Sequence, residues 1–431
     1  MTLVALIIVF LTMLSIKGTM FSPFSNPGQG ASLAFGFILL FAFLAGKQGK
    51  RFRIPQITGY ILAGILCGPF LLRFLSQADV VNLQLLDGLA LSLIALTAGG
   101  EMRLEKLKRS IRTISFVVIS QTFFIITGFI VSGFVLRRLF PVLSGMSDMQ
   151  TFMFFLLMGT MATATSPSTT IAVINETRAA GKHSDLVLST AVVKDFFVII
   201  LFTFVVSFSK STLSPDHIFD LGFFLTLLKE IGGSLGIGLI LGGGIILYLR
   251  YVNKEIAVFI LAVAFISYQV SHQYGFHPLM VCLIAGFIVE NFSSQGERFI
   301  LALERSSLPV YVVFFAISGA SLNLEALRQH WVLALIFVVW RAALKFTGTY
   351  TGARLAKEDS DIQKRSWAGF ISQAGVTLGM VIVVERAFPH WGLLFKTLIL
   401  AIIAINQIIG PVMLQKLLLR SDEAGKKLME G

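Results

Sequence analysis

The stretch Leu186–Val206, LVLSTAVVKDFFVIILFTFVV, reads as a membrane span on either side of its centre, and at that centre stand Lys194 and Asp195. Asp195 follows Ser184 by eleven residues, about 16 Å along a helix rising ~1.5 Å per residue. That is the middle of a hydrocarbon layer about 30 Å thick. A charge there is costly and normally marks an ion or substrate path, the alternative being a buried ion pair that fixes packing. Lys194 does not simply neutralise its neighbour, because adjacent helix positions do not face each other. It is also too deep to snorkel to a headgroup. It must find another partner, line a wet cavity or stay neutral.

The rest of the chain agrees with a membrane setting. Of 431 residues 55% are hydrophobic and 13% charged, and the mean hydropathy is +0.83. An average soluble chain carries roughly 25% charged residues. The fold expected is an all-α polytopic membrane protein. Cys67 and Cys282 lie inside apolar segments, so neither a disulfide framework nor a cysteine metal site is expected. Nothing resembles a nucleotide-binding fold, a glycine-rich phosphate loop or a zinc signature, so no cofactor is expected. No nucleophile–base pair or metal-ligand cluster appears in the spans, which argues against an enzyme.

Fourteen apolar segments lie at about 2–16, 31–47, 54–75, 83–101, 112–138, 151–175, 184–209, 219–250, 255–273, 276–292, 307–322, 331–356, 366–388 and 392–418. The first is the shortest. It lacks the basic start and the small-residue cleavage site of a signal peptide, so a retained helix is the preferred reading. With a cytoplasmic N-terminus, the inner loops carry 23 Lys and Arg and the outer ends 8. That bias sets the orientation and places the C-terminus in the cytoplasm. It also gives the net charge of +12 a membrane role and removes any need for a nucleic-acid partner.

The chain echoes itself. YILAGILCGP (Tyr60–Pro69) resembles CLIAGFIVEN (Cys282–Asn291), and LTAGGEMRLEKL (Leu96–Leu107) resembles AISGASLNLEAL (Ala316–Leu327). Both pairs are seven segments apart, an odd offset, which implies an inverted repeat. The resulting division is an extra N-terminal helix and loop at 1–30, a first repeat at 31–210, an inter-repeat helix at 211–254, a second repeat at 255–420 and a short cytoplasmic tail at 421–431. The inter-repeat helix contains GGSLGIGLILGGG (Gly232–Gly244), either a sliding surface or, preferably, close packing through small residues.

The segment before Asp195 contains ATATSPSTTIAV (Ala162–Val173). Pro167 removes a backbone donor and pushes Ser166 out of helical geometry. Broken helices at membrane depth are tolerated where they line a cavity. The hydroxyls of Thr165, Ser166 and Thr169, with freed carbonyls, offer hard oxygen ligands to an alkali cation beside Asp195. Seven segments later, ISQAGVTLGMVIV (Ile371–Val383), with Gln373, Gly375, Thr377 and Gly379, is a second weak helix. Two interrupted helices in matching positions point to a midplane site. Arg341 and Lys345 are four apart and share one helix face. They serve as charge balance, as titrating carriers, or as packing support.

At this point the chain resembles the monovalent cation:proton antiporter superfamily, in its bacterial branch of sodium/proton and potassium-efflux antiporters. The resemblance rests on IPQITGYILAGILCGP (Ile54–Pro69), ATSPSTTIAVINETRAAG (Ala162–Gly181), VVKD (Val192–Asp195), FFAISGASLNLEAL (Phe314–Leu327), LKFTGTYTGARLA (Leu344–Ala356) and ISQAG (Ile371–Gly375). It implies two crossed broken helices, here 151–175 and 366–388, in a fold of about 13–14 transmembrane helices. It also implies a moving core beside a dimerisation domain, a homodimer, and a bacterial inner membrane. Asp195 corresponds to the ion-binding aspartate and Lys345 to the later motif lysine. Charge-moving members carry Asp-Asp in the motif, and others Asn-Asp or Gln-Asp. The Lys-Asp of this chain departs from all of these.

The expected function is exchange of Na+ or K+ for protons, with Asp195 alone holding either a proton or a cation. The expected site is Asp195, Thr165, Ser166 and Thr169, with Lys194, Arg341, Lys345 and Gln373 balancing charge or linked to protons. One carboxylate implies an electroneutral cycle. Two other classes stay open. In a channel or a non-transporting sensor, Lys194 would lock Asp195 in an ion pair. In a transporter of an anionic solute, Lys194, Asp195, Arg341 and Lys345, which sum to +2, would supply the positive charge.

Overall fold

The computed structural model describes residues 2–19, 27–49, 54–83, 85–213, 221–252, 254–322, 324–373 and 376–426. Among them the chain is helical and has no strand. In order come α1 (Thr2–Thr19), α2 (Pro27–Gly49), α3 (Gln56–Cys67), α4 (Gln77–Leu83), α5 (Leu85–Glu101), α6 (Leu104–Leu139), α7 (Pro141–Ser144), α8 (Asp148–Thr163) and α9 (Pro167–Thr177). Then follow α10 (Lys182–Leu213), α11 (Leu221–Tyr251), α12 (Ile256–Tyr274), α13 (Pro278–Phe292), α14 (Gly296–Ala320), α15 (Leu324–Leu355), α16 (Ser360–Arg365), a 3-10 turn (Ser366–Phe370), α17 (Val376–Ala387) and α18 (Gly392–Arg420). Each of the fourteen apolar segments coincides with one helix or one broken pair; α7 and α16 are short connectors, and α4 forms a bent pair with α5. Among the described residues six helices are long and apolar enough to cross a bilayer as they stand, and two bent pairs bring the number to eight. Three shorter apolar helices, 33–49, 56–67 and 278–292, lie below that length.

The helices sort into two compact units, each drawn from both halves of the chain. The first comprises Met1–Leu104, Ile171–Glu176 and Lys229–Asn323. In it α5 lies along α13 and α3 along α14. Both pairs touch backbone to backbone, because a side chain is missing where they meet. A Cβ on Gly64 would lie 1.8 Å from the Ala316 carbonyl oxygen, and one on Gly286 would lie 2.2 Å from that of Leu96. A Cβ on Gly99 would lie 1.9 Å from the Leu283 oxygen, and one on Gly319 2.2 Å from that of Ile61. In the two echoes Gly64 aligns with Gly286, Leu96 with Ala316, Gly99 with Gly319 and Ile61 with Leu283. Each contact therefore recurs with the roles of the halves exchanged.

The glycine-rich face of α11 is divided. Gly238 and Gly242 press on Ile284 and Ile288 of α13, as close packing requires, whereas Gly232, Gly236, Gly243 and Gly244 face open space. Glu176 caps α3, both carboxylate oxygens accepting from the Gln56 N–H at 2.8 Å. Asn291 pins the break between α5 and α6, accepting from Leu104 N at 2.7 Å and donating to Met102 O at 2.9 Å.

The second unit comprises Glu105–Thr170, Thr177–Leu228 and Leu324–Gly431. Around the N-terminal half of α8, Phe129, Phe154, Phe155, Phe337, Trp391 and Phe395 form a buried aromatic cluster. At the start of α10 the chain end folds back. The buried Glu423 carboxylate accepts from His183 N at 2.7 Å and Ser184 N at 2.8 Å. This satisfies two of the orphan donors of that helix and sets a negative charge at its positive end. Gly348 and Gly352 bring α15 against the backbone of α6 at Gln121 and Phe116–Val117. The glycine spacing of the later motif is thus a close-approach device.

Candidate cation site

The site lies in the second unit, where two helices break and their unwound segments cross. Helix α8 stops at Thr163 because Ala164 turns to φ −52°, ψ 146° and Pro167 follows. Helix α9 then starts from Pro167, with Ser166 Oγ accepting from Thr169 N at 3.2 Å as its cap. The second break runs from the end of the 3-10 turn at Phe370 through non-helical residues 371–373 to α17. Ser166 N donates to Ser372 O at 3.1 Å, which joins the two unwound strands at their crossing. Ala374 and Gly375 lie outside the described residues.

A helix that ends inside a membrane leaves its last carbonyls without amide partners. Here side-chain donors meet them in turn. Met161 O accepts from Gln373 Nε2 at 3.0 Å, and Ala162 O from Arg341 Nε at 2.8 Å. Thr163 O accepts from Lys194 Nζ and Lys345 Nζ, both at 3.3 Å. Ala164 O accepts from Arg341 Nη2 at 2.7 Å and Lys345 Nζ at 3.0 Å. Arg341 also reaches the other break, donating through Nη1 to Ile371 O at 2.7 Å. The three cations are fully buried. They stand at the C-terminal end of a half-helix, which carries about −0.5 charge and favours them.

Lys194 completes its shell with the Gln121 Oε1 oxygen and lies 5.7 Å from the Phe370 ring centroid. Lys345 completes its own with Thr165 Oγ1 at 2.8 Å. Asp195 is half-buried, and among the described residues its carboxylate has no hydrogen-bond or ion-pair partner. The locked Lys194–Asp195 pair of the channel or sensor reading is therefore not formed. All three N–H groups of Lys345, two of Lys194 and three of the five of Arg341 are on carbonyl, hydroxyl and carboxamide oxygens, which turns most of the positive charge towards the helix end.

Seven of the eight residues expected from the sequence are tied by hydrogen bonds at the crossing, with altered roles, and Asp195 joins them as the chain neighbour of Lys194. Lys194, Arg341, Lys345 and Gln373 are helix caps. Thr165 is engaged by Lys345, and its hydroxyl points to Phe370 O at 3.4 Å. Ser166 Oγ has Ser168 Oγ at 2.9 Å and Thr169 Oγ1 at 3.0 Å, a buried hydroxyl cluster at the start of α9. Sequence reasoning missed Gln121, Thr349 and Asn406. Gln121 Nε2 donates to Thr349 Oγ1 at 2.7 Å, and Asn406 Nδ2 to Gln373 Oε1 at 3.1 Å. One amide in the apolar run ISQTFFII and two in AINQIIG were the available signal for Gln121 and Asn406.

Residues 36–420 match the family model described as sodium/hydrogen exchanger, transmembrane. The chain belongs to the sodium/hydrogen exchanger family. Members are cation:proton antiporters, integral membrane transporters rather than enzymes. Among relatives of this exchanger-family chain, the Na(+)/H(+)-K(+) antiporter GerN of Bacillus cereus is 24% identical over 402 residues, covering 90% of this chain and 96% of GerN. A Na(+)/H(+) antiporter of Enterococcus hirae is 23% identical over 393 residues, covering 88% and 95%. The solved sodium proton antiporter MjNhaP1 of Methanocaldococcus jannaschii shares the fold at TM-score 0.67 and 19% identity, over 93% of this chain and 97% of that one.

Proposed function

We propose that this protein exchanges Na+ or K+ for protons, one for one, with Asp195 as the only group that carries either. The observation that supports this is the division of labour at the crossing. Three buried cations are bound to helix-end oxygens, and the acid next to Lys194 in sequence has no partner among the described residues. A proton and an alkali cation then compete for the same carboxylate, and the Ser166–Ser168–Thr169 hydroxyls at the start of α9 supply further oxygen ligands. Lys194 and Lys345 keep their donors on carbonyls throughout, so neither exchanges a second proton. Occupied by a proton or by a cation, the site has the same charge. A membrane potential, which does work of ~2.3 kcal/mol per charge per 100 mV, then leaves the balance point unmoved.

The site alternates between the two sides of a plasma membrane, with the C-terminus in the cytoplasm as the loop charges require. The working protein is a homodimer, as the family resemblance implies. Mass measurement in detergent checks that assignment, a monomer being the contrary result.

The test is exchange in proteoliposomes at two clamped potentials. The Na+ or K+ gradient that balances a fixed pH gradient should stay the same at both. A voltage-dependent shift would show that a lysine titrates with the cycle. Asp195→Asn should remove cation-dependent proton movement in a protein that still elutes as the parent does. Exchange at the parental rate in that variant would end the assignment.

A further inference from the structure

We infer that Gln121 is a positioning residue for exchange, holding the Lys194 ammonium away from the Asp195 carboxylate. The inference rests on Asp195 being the exchange site and adds a group that keeps the neighbouring lysine off it. The chain of hydrogen bonds fixes which end of the Gln121 amide faces the lysine. Thr349 Oγ1 donates its one proton to Lys345 O at 2.7 Å. Its oxygen can then only accept, and it accepts from Gln121 Nε2 at 2.7 Å. The carboxamide is thereby oriented with Oε1 towards Lys194 Nζ. Gln121, Thr349 and Lys194 are all fully buried. The close approach of α15 to α6 at Gly348 holds the accepting hydroxyl at this distance.

An ammonium is the strongest resident rival to Na+ or K+ for a carboxylate. Lys194 is covalently next to Asp195, and a four-carbon stem can swing through the ~100° between neighbouring helix positions. What restrains it is its set of acceptors, Thr163 O at 3.3 Å and Gln121 Oε1. Thr163 O is shared with Lys345, so Gln121 is the acceptor that belongs to Lys194 alone. A neutral carboxamide suits the task, since it holds the cation without adding a second acid to the site.

The test separates half-saturation from maximal rate for Na+- or K+-driven proton movement in proteoliposomes. In Gln121→Leu the freed ammonium competes at Asp195. An opposite charge within reach changes a carboxylate's affinity by about one to three decades, so half-saturation should rise by about tenfold or more. Removing the competitor should reverse the defect. In the double variant Gln121→Leu/Lys194→Met, half-saturation should return to within about threefold of the parent, a smaller change than the single decade at the low end of that range. A merely structural role for Gln121 predicts the opposite, since the double variant would be at least as impaired as the single one. Parental half-saturation in Gln121→Leu, or an unrescued double variant, overturns the inference. Should Gln121→Leu fail to fold, Thr349→Val decides, because it frees the amide to flip. Half-saturation should rise there too, and an unchanged value overturns the proposal. Asp195→Asn run alongside distinguishes the layers. If it still transports, the exchange site is wrong. If it is inactive while Gln121→Leu is normal, only the positioning role is wrong.

Discussion

Replacing Arg341 with methionine tests whether the crossing is held by cation-to-carbonyl bonds. Methionine keeps an unbranched stem and removes all three donors. Ala162 O and Ile371 O lose the guanidinium, while Ala164 O keeps Lys345 Nζ at 3.0 Å. A buried acceptor left unpaired costs about 1–3 kcal/mol, so two cost about 2–6 kcal/mol. The variant no longer buries a charge, which offsets part of this. A net loss of about 2–4 kcal/mol remains. For a unit of 150–250 residues each kcal/mol moves the melting point by ~2–4 °C, which gives a drop on the order of 5–10 °C. The assay is built into the sequence. All four tryptophans, Trp331, Trp340, Trp367 and Trp391, belong to the second unit, and both cysteines, Cys67 and Cys282, to the first. Tryptophan fluorescence on heating in detergent reports the unit that holds Arg341, and thiol labelling reports the other. Arg341→Lys should fall between parent and Arg341→Met, since an ammonium keeps the charge but not the fork. A tryptophan melt for Arg341→Met within about 2 °C of the parent, less than one kcal/mol on that scale, would falsify the capping account.

Other outcomes follow from the same contacts. Glu423→Ala removes the acceptor for two orphan N–H groups of α10, and a lost cap costs about 1–2 kcal/mol, so the tryptophan melt should fall by a few degrees. Gly64→Ala and Gly286→Ala place a methyl where a backbone oxygen lies 1.8 and 2.2 Å away, so both should expose the buried cysteines at lower temperature than the parent. If proton and cation compete at Asp195, half-saturation should climb about tenfold per pH unit on the acid side of the site's midpoint and level off on the alkaline side. A flat dependence contradicts a shared carboxylate. Lys182, by its hydrogen bond and its charge, holds the Asp359 carboxyl below the usual range. That pair therefore stabilises at neutral pH, and the contribution is lost only as pH falls through the lowered value. Both partners are solvent-exposed, so the contribution is small, and Asp359→Asn should lower the neutral-pH melt only slightly.

What the sequence determined by itself is what depends on solvent and on local chain geometry. Hydrocarbon excludes charge and unpaired amides, so apolar length marked the helices, loop charge marked their orientation, and Asp195 stood out as an acid at bilayer depth. Pro167 marked a break because proline acts within one turn. The glycines of the two echoes were legible as matching words, although their purpose was not. Only the tertiary structure decided where the charges point. The sequence leaves Lys194 open to another partner and Arg341 and Lys345 open between charge balance, proton carriage and packing support; in the structure each is spent on carbonyls freed by a break that lies, for Arg341 and Lys345, some 180 residues away in sequence. A side chain's partner at that separation is set by which helices cross, and composition carries no record of it. The same holds for Gln121. One amide in an apolar run signals an unmet donor and acceptor, but its task depends on a threonine and a lysine that two other helices bring to it.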